Sequence, residues 1–225
     1  MPSPEPVPTD GAATLREQLR HVYWIGGGSC AGKSAIARRL ADGYGLHLYP
    51  TDDRMAEHAR RSHPRDTPFL QRFLAMQRDD RWVNRSPAAM LDTFPWFRGE
   101  AFSCIVEDLL GLPPHPPVIV EGFRLLPRCV KPLLSAVHQA VWLLPSPEFR
   151  RAVLDGRAIC TSGFLAQTGN PQRALRNLLE RDGLFTDRLR KEIAGLHLHA
   201  IEVDTAIAED DSANLVANRF RLRQS

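Results

Sequence analysis

The sequence predicts an α/β domain with a five-stranded parallel sheet covered by helices on both faces. Three observations lead there. Short apolar runs alternate with helical patterns along the chain. Most of these runs are apolar throughout, as strands buried on both faces must be. The first run opens directly into a glycine-rich turn that starts a helix, Gly27-Gly28-Ser29-Cys30-Ala31-Gly32-Lys33-Ser34. With 225 residues, 43% of them hydrophobic and 24% charged, the chain can build one such domain plus insertions.

Residues 1–13 carry Pro2, Pro4, Pro6 and Pro8 and few large apolar side chains, the composition of a disordered tail; residues 14–225 form the domain. Thr14 to Arg20 has material for one or two helical turns. Val22 to Ile25 reads as the first strand, and the turn that follows places it centrally. The next helix runs to about Asp42 and stops at Gly43 and Gly45. Leu46 to Tyr49 is a second strand, ended by Pro50-Thr51-Asp52-Asp53. Residues 54–112 read as a helical insertion. Met55 to Arg61, Phe69 to Arg78 and Glu100 to Leu110 are its helices, set around an aromatic-rich loop with Trp82, Asn84, Arg85, Phe94, Trp96, Phe97 and Arg98.

Val118-Ile119-Val120 is the third strand, ending in Glu121-Gly122. Val130 to Val137 is predicted helical, and Ala140 to Leu144 is the fourth strand. A basic helix from Pro147 to Arg157 and a flexible stretch from Thr161 to Gly169 follow. Asn170-Pro171 pairs a cap residue with proline at the first helical position, opening a helix to about Arg181. Phe185 to Ala194 is expected as a separate helix. His199 to Val203 is the fifth strand, Asp204 to Ala208 a loop, and Asp211 to Arg221 the closing helix.

Net charge is +3, too small to argue for nucleic acid. Lysine occurs only at 33, 131 and 191, and the other 26 basic residues are arginine, a supply of planar forks for phosphate and carboxylate. Cys30, Cys104, Cys129 and Cys160 lie far apart with no C-x-x-C pair, which fits free thiols in a reducing cytoplasm. No run approaches a membrane span and no signal peptide is evident, so a cytoplasmic location is expected. The eight histidines show no H-x-x-x-H pair beside an acid, and no zinc site is expected.

Residues 27–34 match G-x-x-x-x-G-K-[ST] without a gap, between an apolar strand and a helix. Gly27 and Gly32 let the backbone curl so that the N–H groups of Gly28, Ser29, Cys30 and Ala31 face an anion. The helix opening at Lys33 adds the positive end of its dipole. Lys33 reaches the β- and γ-phosphates, and the Ser34 hydroxyl is placed for Mg²⁺. Asp52 is a candidate for holding Mg²⁺ and for taking the acceptor hydroxyl's proton; the competing reading is a helix cap. Glu121 either contacts the metal through water or aligns the acceptor, or else forms a salt bridge with a neighbour such as Arg124. Arg124 in turn either binds the acceptor or is that bridge partner. Asp53, Arg85, Trp96, Arg98 and Gly122 complete the candidate acceptor site. Trp82, Trp96 and Phe97 either stack on a ring or fill the insertion's core. Arg150 and Arg157 share one helix face and Arg173 and Arg176 another. Arg181, between Glu180 and Asp182, reads as a local ion pair.

The chain resembles the P-loop kinases of small molecules and nucleotides, the superfamily of adenylate kinase, shikimate kinase and the chloramphenicol phosphotransferases. The resemblance spans roughly residues 20–221 and rests on four places: the 27–34 loop, Asp52-Asp53, Val118 to Gly122, and the arginine-bearing segment 147–181. Val203-Asp204-Thr205 resembles the loop that lines the adenine. The resemblance implies a three-layer P-loop NTPase fold in which 147–181 is a lid. It implies ATP and Mg²⁺ as cofactors and transfer of the γ-phosphoryl group to a small-molecule hydroxyl or phosphate. Lys33, Asp52 and Arg157 would be catalytic, with Arg173, Asp204 and Thr205 on the nucleotide. Shikimate kinase-like enzymes carry Asp-x-Asp where this chain has Pro50-Thr51-Asp52. An ATP-binding regulatory protein, or an ATPase without an acceptor, is the alternative. The guanine motif Asn-Lys-x-Asp and the transporter motif Leu-Ser-Gly-Gly-Gln are both absent, which disfavours a GTP switch and a transporter ATPase. The acceptor's identity and the oligomeric state are left open by the sequence.

Overall fold

In the computed structural model, residues 9–156, 163–204 and 209–223 are described. Five strands form one parallel sheet: β1 (Val22–Gly27), β2 (His47–Pro50), β3 (Val118–Glu121), β4 (Ala140–Pro145) and β5 (Ala200–Val203), in the order β2-β3-β1-β4-β5. The central strand is β1, as expected. Its register pairs Ile25 with Glu121 on one side and with Val141 on the other. Every residue of β3 and β4 is buried, while the edge strands β2 and β5 keep exposed positions. That contrast is why the inner strands read as continuous apolar runs and the edges do not.

Alternation along the strands splits the core into two layers. Ile25, Ile119, Val141 and Leu143 face one way, onto Ile36 and Leu40 of α2 (Lys33–Tyr44) and Val216 and Phe220 of α12 (Glu209–Phe220). Trp24, Val120, Trp142 and Leu144 face the other way, onto Ile105 and Leu109 of α8 (Phe102–Leu110) and Phe185, Leu189 and Ile193 of α11 (Pro171–Gly195). Helices on both faces of a parallel sheet make a three-layer α/β architecture.

The insertion is more helical than the sequence suggested. Besides α3 (Met55–Arg61) and α4 (Pro68–Ala75), the aromatic stretch folds into α5 (Arg78–Trp82), α6 (Pro87–Thr93) and α7 (Pro95–Arg98). Ser86 caps α6 by accepting from the Ala89 N–H, and proline stands in the first turn of both α6 and α7.

Other boundaries also differ. The first helix, α1 (Thr9–Gln18), begins inside the segment expected to be a tail, and residues 1–8 lie outside the described residues. In place of a helix over 130–137, there is a short α9 (Pro127–Val130) followed by two 3-10 turns, since Pro132 removes an amide donor. The two helices expected between 170 and 194 are one, α11, which runs through Gly183. A Cβ on Gly183 would lie 3.2 Å from Arg150 Nη1, so glycine there makes room for an arginine from α10 (Pro147–Gly156). Glycine has a low helix propensity, which tertiary packing overrides here. The segment expected to act as a lid is tied to the insertion. Asn177 Nδ2 donates to Trp82 O (3.1 Å) and Val83 O (3.0 Å), and the Gly169 N–H donates to Asp79 (2.9 Å).

Candidate functional site

All five strands run the same way, so Gly27, Pro50, Glu121, Pro145 and Val203 end on one edge of the sheet. Open α/β sheets bind ligands along that edge. Between β1 and α2 the chain turns through the 27–34 loop. Gly27 has φ 132°, and a Cβ there would sit 2.7 Å from the Leu143 amide nitrogen, so only glycine fits. Cys30 takes φ 63° although it is not glycine, and Gly32 takes φ 74°. These reversals wrap the loop over the amino end of α2.

Lys33 is 8% exposed, and its Nζ donates to Gly28 O at 2.7 Å. Burial pushes its ammonium below the ordinary value, and the charges of Asp52 and Glu121 partly offset this. The Ser34 hydroxyl donates to Glu121 Oε1 at 3.0 Å. Glu121 is 3% exposed and its Oε2 has no hydrogen-bond partner. Burial raises its carboxyl, against the pull of Lys33. No ion pair joins Glu121 to Arg124 among the described residues, so the bridge expected between them does not form.

The turn after β2 brings Asp52 to this cluster. The Thr51 N–H donates to Glu121 O at 2.9 Å. A Cβ on Gly122 (φ 151°) would collide with the Thr51 hydroxyl and lie 3.2 Å from Asp52 Oδ1. Gly122, expected at the acceptor, therefore serves by letting the turn close onto β3. Neither the 3-10 turn Asp52–Arg54 nor α3 takes a side-chain cap, so capping does not account for Asp52. Asp52 stands open to the cleft with protein crowded around it. Desolvation raises its carboxyl, while Lys33 and Arg124 pull it down. Residues 29–35, Asp52 and Phe123 line a cavity of about 330 Å³.

Ser29, Cys30 and Phe123 also border a second cavity of about 370 Å³. Its remaining wall is mostly ring and aliphatic: Met55, Phe73, Trp82, Phe94, Trp96 and Phe97, with Phe164 and Leu178 from the side of α11. Trp96 and Phe97 are core residues and Trp82 packs against that core, and all three also line this cavity. The polar exception is Arg181 with Asp182. Arg181 Nε and Nη2 both donate to Asp182 Oδ1, at 2.9 and 2.7 Å, so the local pair expected from the sequence forms.

The other sequence candidates lie elsewhere. Arg124 is 2% exposed, and its guanidinium donates to Thr51 O (3.1 Å), His58 Nδ1 (3.0 Å) and Ala101 O (3.3 Å) while stacking on Trp96. Burial lowers its pKa to about 10. It holds the Asp52 turn to the insertion, borders neither cavity, and reaches the cleft only through its charge on Asp52. Arg85 is spent on Ala89 O and the Thr93 hydroxyl. Arg98 donates to Asp92 O and stacks on Phe69. Asp53 is exposed and borders neither cavity. Arg173 is exposed at the start of α11. Asp204 follows β5 on the same sheet edge, whereas Arg157 and Thr205 lie outside the described residues.

Sequence reasoning missed Phe123, the partition shared by the two cavities, although it stands two residues beyond Glu121. It also missed a second buried network. A guanidinium only donates, so Arg124 makes His58 Nδ1 an acceptor and leaves the proton on Nε2. His58 is thus neutral and donates to Asp108 Oδ2 at 2.9 Å. Tyr49 donates to the same oxygen at 2.5 Å, and Arg61 binds Oδ1.

No family model matches the chain, and no curated protein matches it. Among solved structures, an uncharacterized protein from Eubacterium ventriosum is similar, at 12% identity over 91% of this chain and 99% of that one. Its TM-score is 0.43, a likeness that carries no argument about activity. Among the described residues, no helix is long and apolar enough to cross a membrane.

The donor set around Ser34 is all oxygen: one hydroxyl and the Asp52 and Glu121 carboxylates, with one buried carboxylate oxygen unpartnered. That suits a hard cation such as Mg²⁺, which keeps waters and substrate oxygens in its shell. Among the described residues, no cluster of three or more His, Cys, Asp or Glu could hold a metal by itself.

Proposed function

We propose that this protein is an ATP-dependent phosphotransferase that moves the γ-phosphoryl group to a small-molecule acceptor. The observation that carries the reading is the hydrogen-bonded Ser34–Glu121 pair with buried Lys33 and open Asp52 beside it, gathered at a glycine loop that borders a second cavity. A buried ammonium and a buried carboxyl with an orphan oxygen are costly unless a ligand completes them. Phosphates would take the Lys33 ammonium from Gly28 O and receive the loop's N–H groups.

Phosphoryl transfer asks for positioning and charge neutralisation, which these groups supply. Mg²⁺, held by Ser34 and a carboxylate, would neutralise charge on the phosphate oxygens. Asp52 receives the acceptor's proton; its raised pKa moves it toward neutral pH, where a base is most effective. The resemblance to P-loop small-molecule kinases supports the same assignment.

Calorimetric titration of ATP with Mg²⁺ tests the reading. The wild type binds, and Lys33→Ala weakens binding at least tenfold while keeping its thermal unfolding cooperative. Equal binding by a folded Lys33→Ala protein overturns the proposal.

A further inference from the structure

We propose that the acceptor is an uncharged, largely aromatic alcohol or phenol and not a phosphate or a carboxylate. This inference rests on the phosphotransferase reading and assigns the chemical class of its second substrate.

The second cavity is of small-ligand size, and its wall is built from ring faces. An anionic acceptor needs a cation with charge to spare. Among the described residues lining this cavity, Arg181 is the sole cation, and Asp182 already neutralises it through two hydrogen bonds to one oxygen. Its side chain is 6% exposed and lies over the rings of Trp82, Phe94 and Phe97, with its carbon 4.7 Å from the Phe94 centroid. The arginines the sequence offered for an acceptor phosphate are engaged: Arg85 on Ala89 and Thr93, Arg98 on Asp92, and Arg124 on Thr51, His58 and Ala101. A negative charge placed here would lose water and find no unpaired countercharge among the described lining residues. A flat apolar molecule loses little and gains stacking area.

The reactive end follows from the shared wall. Ser29, Cys30 and Phe123 border both cavities, so an alcohol in the aromatic cavity meets the loop there, with Asp52 in the adjoining chamber. The hydroxyl oxygen bonds to the γ-phosphorus of ATP as the bridging P–O bond to the β-phosphate breaks. ADP departs with that electron pair, and the hydroxyl proton passes to the Asp52 carboxylate.

Calorimetry with 4-nitrobenzyl alcohol and 4-nitrobenzoate, without nucleotide, tests the inference on the full chain. The alcohol binds at least tenfold more tightly than the carboxylate. Leu178→Trp, which fills the cavity, abolishes that binding. Phe164→Ala, a change at an exposed ring beside Trp82 that spares the core, weakens it several-fold. Equal or tighter binding of 4-nitrobenzoate overturns the inference, as does alcohol binding that both variants leave unchanged, or no binding of either probe. A separate ATP titration keeps the two failures apart. ATP binding without alcohol binding sinks the inference alone, whereas alcohol binding without ATP binding sinks the kinase reading.

Discussion

Two polar clusters with buried centres flank the turn after β2, and they are built on different terms. In one, Arg124, His58, Asp108, Tyr49 and Arg61 largely satisfy one another: the arginine finds two carbonyls and a ring nitrogen, with Nε alone unpartnered, and the carboxylate accepts from three side chains. In the other, Lys33 falls back on a backbone carbonyl, Glu121 keeps an orphan oxygen, and burial shifts every ionisable group toward neutrality. A satisfied network gives rigidity, while an unsatisfied one stores a demand that a ligand can meet. The first positions the turn, and the second uses what the turn delivers.

The comparison breaks most visibly at Arg124. Arg124→Met keeps the packing on Trp96 but strips the donors from two buried carbonyls, and we expect a loss of about 3 kcal/mol by urea unfolding. A loss under ~0.5 kcal/mol would remove the cluster's structural role. Asp52→Asn inverts the pattern: turnover of a cognate alcohol falls about 10²–10⁴-fold, with unfolding stability unchanged or slightly higher. Desolvation raises the Asp52 pKa on folding, so its charge subtracts from stability as pH rises through the window above the ordinary aspartate value. The acid limb of the wild-type rate profile lies in that same window.

The smallest effect is at Asp108. Desolvation alone would raise its pKa, but hydrogen bonds from Tyr49, Arg61 and His58 hold it at about 2. A depressed folded pKa stabilises above the unfolded value and is lost as pH falls through the folded one. Asp108→Asn should therefore cost about 1 kcal/mol at neutral pH after solvent screening. The gap to wild type should close between about pH 4 and pH 2. A gap of constant size in urea melts across that range would show that ionisation is not its source.

How much of this was legible in the sequence depends on the reach of the contacts. The loop, the central place of β1 and the Arg181–Asp182 pair could be read from neighbouring residues. The Asp108 cluster joins residues 47 to 59 positions apart, and no spacing rule flags it. Arg85, Arg98 and Arg124 looked functional because a free arginine and a committed one read alike. The aromatic stretch showed its composition but not its partners, since Phe164 and Leu178 come from beyond β4.

One consequence is mechanical. Helix α11 has 25 residues, a rod of roughly 37 Å. Asn177 fastens it to the insertion, Arg181 sits in the cavity wall, and Leu189 and Ile193 are sunk in the core beneath the sheet. Between them, Thr186 stands where a side chain on Gly28 would touch it, at 2.8 Å. One continuous rod therefore joins the aromatic chamber to the core. The wall that would meet a guest is the upper end of a helix whose lower end helps hold the sheet together.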